Sequence, residues 1–350
     1  MKMQQKMSPR HIAYAIAALL ILIIIGVFVY HRIQSAEELR FLADFDTGQT
    51  VDIDGKKVNY KVFNSENTGE TIILMPGLSV QDMALSFRPL AERINARIVL
   101  INRPGYAFSE ETGMEADVDY IIEYHRKVME SLNISGPVVL MPHSIAGQYA
   151  MYWAEKYPEQ IDSIIGLDIG SPFLFKDETA PSAVAETVKY FGAKLGFGRI
   201  VMNRSDFAPL ISNLGYYTDE EANALWYLSG TINPYSGFAK SETLLCSTNA
   251  QKIVAALSDN YAKKRKLFIS ADYTAEGFGD KARSVLMEAF HNDADAVEKH
   301  IAEHRRQQEK TLDSLKADEN VKTIIVPGTH AIYLYPSDTL VNAINGFLNE

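Results

Sequence analysis

The sequence predicts an α/β protein: a mostly parallel sheet covered by helices on both faces, with an inserted helical cap and an N-terminal transmembrane helix. Three observations lead there. Short apolar runs recur from Thr71 to Val326 and alternate with stretches of helical spacing, the pattern of strands joined by crossover helices. The alternation lapses from about Pro172 to Asn260, where helical runs carry Tyr190, Phe191, Tyr216, Tyr217, Trp226, Tyr227 and Tyr235. Ahead of the sheet, Ile12 to Tyr30 runs without a charge, about 28 Å long as a helix and close to a bilayer's hydrocarbon thickness.

The elements follow in order. Residues 1–32 read as a membrane anchor. The apolar run is longer than the core of a signal peptide, and no clear small-x-small site follows it. Lys2, Lys6 and Arg10 precede it, while only His31 and Arg32 follow before Glu37 and Glu38. That bias sets the N-terminus inside and the bulk of the chain on the extracytoplasmic side. Residues 33–50 form a short polar stalk. Val51 to Phe63 alternates apolar and polar residues around Asp54-Gly55, a hairpin signal. Strands are expected at Thr71–Met75, Arg97–Ile101, Val138–Met141, Ser163–Asp168, Lys266–Ser270 and Val321–Val326. Helices are expected at Ala84–Ile94, Val118–Leu132, Gln148–Tyr157 and Ser337–Leu348, with a long charged helix over about 280–315. The sheet domain therefore spans 51–171 and 263–350, and the cap 172–262.

Composition narrows the function. With 350 residues, 47% of them hydrophobic, the chain can bury one large domain with an insertion or two domains. A net charge of -10 argues against nucleic acid as a main partner. Cys246 is the single cysteine, so no disulfide forms within the chain.

The chemistry centres on Pro142-His143-Ser144-Ile145-Ala146-Gly147. A buried strand that breaks sharply into a helix lifts the residue at the break out of the sheet, and the first N–H groups of the helix point towards it. A serine there needs a base, usually a histidine oriented by a carboxylate. Functional groups of an open α/β sheet gather at the carboxyl ends of its strands. Of the eight histidines, His330 follows the last strand and meets that condition. His143 adjoins the serine, but neighbours on a turn point apart. Asp272, just past the Lys266–Ser270 strand, is the preferred acid, and Asp168, at the end of the strand after the serine, is the main alternative. Glu276 and Asp280 are weaker ones. An oxyanion needs two donors. The N–H of Ile145 is one, and the N–H of Leu78, after Pro76-Gly77, is the other.

These segments together resemble the α/β-hydrolase superfamily. Met75-Pro76-Gly77-Leu78 looks like its oxyanion loop. Asn102-Arg103-Pro104-Gly105-Tyr106-Ala107-Phe108-Ser109 is similar to its Asp-x-Pro-Gly-x-Gly-x-Ser loop. Pro142 to Gly147 resembles its nucleophile elbow, and Gly328-Thr329-His330 its histidine loop. The departures are Pro76, Asn102, Ala107, Pro142 and Ala146. The resemblance implies a serine hydrolase acting without a cofactor on an ester or amide, with Ser144, His330 and Asp272 as its triad, and the aromatic cap and membrane anchor favour a small, lipophilic substrate. It equally admits an aminopeptidase, a carbon–carbon bond hydrolase or an inactive binding protein.

Two further groupings carry less weight. His300, Glu303 and His304 share one side of a helix, but that helix is highly charged and reads as a solvated face rather than a metal site. Lys263-Lys264-Arg265-Lys266, beside a strand start, reads as solvated surface.

Overall fold

The computed structural model describes residues 8–78, 83–201, 211–212, 214–232, 235–272, 283–284, 286–287, 290–315 and 320–350. Eight strands form one sheet: β1 (Gln49–Ile53), β2 (Lys56–Phe63), β3 (Thr71–Met75), β4 (Arg97–Ile101), β5 (Val138–Pro142), β6 (Ile161–Leu167), β7 (Arg265–Asp272) and β8 (Val321–Pro327). Their order across the sheet is β1-β2-β4-β3-β5-β6-β7-β8. β1 and β2 pair antiparallel, as do β2 and β4, and every later pair is parallel. The β1–β2 turn is the expected two-residue one. Asp54 and Gly55 both take positive φ, 54° and 75°, which matches the right-handed twist of the strands it joins.

Both faces of the sheet are buried, and alternation along each strand divides the core in two. Ile73, Met75, Val99 and Ile101 face α3 (Val118–Ser131), α4 (Ala146–Lys156) and the helix Gly237–Ala256. Ile72, Leu74, Ile98 and Leu100 face α2 (Met83–Ala91), the long helix Ala294–Leu315 and the last helix Asp338–Leu348. The inserted region is helical. Phe238, Ala239 and Ile253 of the helix Gly237–Ala256 are buried with Tyr149 and Trp153, so this helix packs on α4.

The basic run before β7 is not solvated throughout. Lys266 is fully buried, and its Nζ donates to the carbonyls of Tyr261 at 3.0 Å and Ala262 at 2.9 Å. Lys264 Nζ donates to the carbonyls of Pro158 and Ile161, tying the start of β7 to that of β6.

The N-terminal helix α1 runs unbroken from Pro9 to Leu42, with Ser8 as its cap. It is long and apolar enough to cross a membrane, and its most apolar stretch lies wholly outside the folded body. Residues 33–42 continue this helix instead of forming a stalk. Leu42 packs with Leu85, Leu214, Leu225 and Leu228. Further up the helix, Arg199 donates to His31 Nδ1 at 2.9 Å, Ser35 Oγ at 2.8 Å and both Glu38 oxygens at 2.5 and 2.6 Å. Side chains only 9% exposed make this ion pair a joint rather than a surface contact.

Candidate active site

The serine turn is built by the sheet. β5 is buried along its whole length, and Pro142 closes it in register with Met75 of β3. The chain then leaves the plane. His143 N–H still bonds the Met75 carbonyl at 3.0 Å, while Ser144 swings to φ 55° and its N–H reaches the Leu167 carbonyl at 3.3 Å. Left-handed φ on a non-glycine residue is strained, and such strain collects at functional sites. Pro142 costs the ladder little because it stands at the strand's end. Ala146 is small enough to be fully buried in the first turn of α4. Both departures are thus accommodated. Another departure, Ala107, takes φ 46° where the family pattern has glycine.

His330 Nδ1 lies 2.6 Å from Asp168 Oδ2. The acid beside the histidine is therefore Asp168, and not Asp272, the sequence-based choice. The reason is the length of β7, which continues to Asp272 and keeps that residue in register with Pro327. Asp168 ends β6 on a turn of its own, at φ 43°, which aims its carboxylate across the end of β7. There Oδ1 accepts from the Ala271 N–H at 3.0 Å and from Gln308 Nε2 at 2.8 Å. Burial pushes the Asp168 pKa up, but these hydrogen bonds and the His330 ring outweigh it and hold it below its ordinary 3.8. Glu276 and Asp280 lie outside the described residues.

His143 has a bracing role. It is 2% exposed, and its Nε2 donates to the backbone carbonyl of His330 at 3.0 Å. Burial, with help from His330, pushes its pKa down to about 3, so it stays neutral and cannot serve as the base. The His304 ring lies 6.2 Å from that of His330, and burial with the neighbouring His300 pushes its pKa down to about 4. Among the described residues no group of three or more His, Cys, Asp or Glu is placed to hold a metal ion.

The loop after β3 lies against the serine. A Cβ added at Gly77 would come within 3.0 Å of Ser144 Cβ and 2.6 Å of His143 Nδ1, so only glycine fits. The N–H groups of Leu78 and Ile145 carry no hydrogen bond to the described residues, which leaves both available. This loop is held from behind. Fully buried Arg103 donates to the carbonyls of Pro76 at 2.6 Å and Gly77 at 2.8 Å. Its Nε sits 3.1 Å from Glu242 Oε1, close enough for an ion pair but off the line of a hydrogen bond. Tyr106 and Tyr149 hydroxyls donate to the two Glu242 oxygens at 2.6 and 3.0 Å.

Arg103, Glu242 and Gln308 were not singled out from the sequence. Glu242 did leave a trace: it shares a helix face with Phe238, Ala239, Cys246 and Asn249, and a charge on an inward face needs a partner.

Comparison with known proteins agrees with this architecture. A family model described as alpha/beta hydrolase fold matches residues 71–207, from β3 past Ser144 and Asp168. The chain has the α/β-hydrolase fold. Among curated relatives it is similar to the uncharacterized protein YbdG of Bacillus subtilis (strain 168), 33% identical over 59% of this chain and 63% of YbdG. The chain spans less than two thirds of the curated relatives it matches. Of solved structures, a thioesterase domain from the curacin biosynthetic pathway is 12% identical, with TM-score 0.55 over 85% of this chain and 98% of that one. A meta-cleavage product hydrolase, CumD, from Pseudomonas fluorescens IP01 is 14% identical, with TM-score 0.52 over 87% and 98%. At such identities the likeness speaks to fold alone. The neighbours are hydrolases by title, and the α/β-hydrolase fold is the setting in which Ser144, His330 and Asp168 must be read.

Proposed function

We propose that this α/β-hydrolase is a membrane-anchored serine hydrolase that cleaves a carboxylic ester or amide through an acyl-enzyme. The observation that supports it most is the His330–Asp168 pair at 2.6 Å, together with a serine held at left-handed φ. In this reading Ser144 Oγ attacks the carbonyl carbon as its proton passes to His330 Nε2. Asp168 holds Nδ1–H and steadies the imidazolium. The Leu78 and Ile145 N–H groups receive the oxyanion. His330 then gives its proton to the departing alcohol or amine. Water, deprotonated by His330, attacks the acyl-enzyme and returns the proton to Ser144. Thioesterase and lipase activities named for neighbours of this fold belong to the same chemistry.

The anchor and the joint between α1 and Arg199 favour a lipophilic substrate drawn from the membrane, on its extracytoplasmic side. A fluorophosphonate probe tests the catalytic reading. The wild-type chain is expected to label covalently and Ser144→Ala to stay unlabelled. A folded wild type that does not label would instead leave a binding protein on a hydrolase scaffold.

A further inference from the structure

The helix Ala183–Leu195 carries apolar residues on two sides. Inward, Tyr190 and Ala193 pack on the core, and Glu186 accepts a hydrogen bond from the Tyr235 hydroxyl. Outward, Val184, Val188 and Phe191 are 74%, 66% and 57% exposed. Their spacing of four and three places them along one stripe. No described residue covers that stripe, and the inward face already supplies the helix's core contacts.

What lies beside the helix is α1. Gly196, which ends the helix at φ 88°, abuts His31 so closely that an added Cβ would sit 2.3 Å from the His31 Cβ. Three residues on, Arg199 is bound by His31, Ser35 and Glu38. His31 directly follows the apolar run Ile12–Tyr30, so it marks the level at which α1 leaves the hydrocarbon. The helix Ala183–Leu195, about 20 Å long, thus ends at that level and is joined rigidly to the span.

We propose that the outward face of Ala183–Leu195 is a second membrane contact, with Val184, Val188 and Phe191 dipping into the interfacial layer of the bilayer that α1 crosses. The proposal rests on the reading of α1 as a retained anchor. Its consequence is a fixed pose, in which two contacts rather than one hold the folded body against the lipid surface.

Nitroxide labels on the full-length chain test it, in vesicles of equal parts phosphatidylcholine and phosphatidylglycerol. Cysteine is placed singly at Val184, Val188 and Phe191 in a Cys246→Ala background. Ile21→Cys reports the span. Ser135→Cys, exposed in the loop at the amino end of β5, reports water. Collision with oxygen is expected to exceed collision with an aqueous nickel chelate at 184, 188, 191 and 21, and the order to reverse at 135. Nickel access at 184, 188 and 191 equal to that at 135, with 21 in lipid, overturns the proposal and leaves the anchor intact. Shielding of the three from both reagents overturns it in favour of a second protein chain on this face. A water-exposed label at 21 removes the anchor reading, and the proposal falls with it.

Discussion

Asp168→Asn exchanges one carboxylate oxygen for an NH2 group, and the surroundings decide which one. Oδ1 accepts from the Ala271 N–H and from Gln308 Nε2, so the asparagine oxygen must take that place. Turned the other way, its NH2 would face two donors, at about 1–3 kcal/mol for each bond left unmade. The NH2 therefore points at His330 Nδ1, in the place of the oxygen now 2.6 Å away. It donates there, so Nδ1 must accept, and the ring proton moves to Nε2. A ring protonated at Nε2 cannot take the serine proton. Loss of the correct tautomer in such a triad lowers kcat by about 10⁴, or roughly 5 kcal/mol of transition-state stabilisation. The assay is the rate of fluorophosphonate labelling together with turnover of an activated ester, on Asp168→Asn and Asp272→Asn prepared side by side. Asp272→Asn should stay within a few-fold of wild type. Near-normal labelling by folded Asp168→Asn, or an equal loss in Asp272→Asn, would refute the assignment.

Two further outcomes follow from buried charges. Arg103→Met strips Glu242 of its cation and should destabilise the fold by about 3–5 kcal/mol, whereas Arg103→Met with Glu242→Leu should recover most of that. Neither restores the donors to Pro76 and Gly77, so kcat should stay low in the double variant with KM little changed; a double variant with full kcat would show that the clamp does not position the oxyanion loop. In the core of α3, burial lowers the His125 pKa from 6.5 to about 4. The unfolded chain therefore binds a proton that the native chain does not, and stability present above pH 6.5 is lost as pH falls towards 4, by up to about 1.4 kcal/mol per pH unit. His125→Phe should flatten that slope in urea titrations at stepped pH, and an unchanged slope would contradict the assignment.

Much of the fold was legible because its signals are local. The strands β3 to β8 announce themselves as short apolar runs, and Asp54-Gly55 fixes a hairpin through positive φ at two adjacent residues. Ser144 and His330 each follow the end of a strand, β5 and β8, as the apolar runs imply. The acid was harder. Asp168 and Asp272 both close a strand, and what separates them is the left-handed turn at 168 against one more ladder pair at 272. Composition could not reveal that difference.

The serine turn, the histidine loop and the apolar N-terminal run are written in consecutive residues, because backbone geometry and hydrophobic length depend on near neighbours. Sequence by itself determined those, and with them the class of fold. Only the tertiary structure decided which carboxylate meets His330, that Arg103 and Glu242 brace the loop after β3, and that α1 continues into a joint at Arg199. Each of these joins residues far apart in the chain, and their pairing is set by how helices settle on the two faces of the sheet.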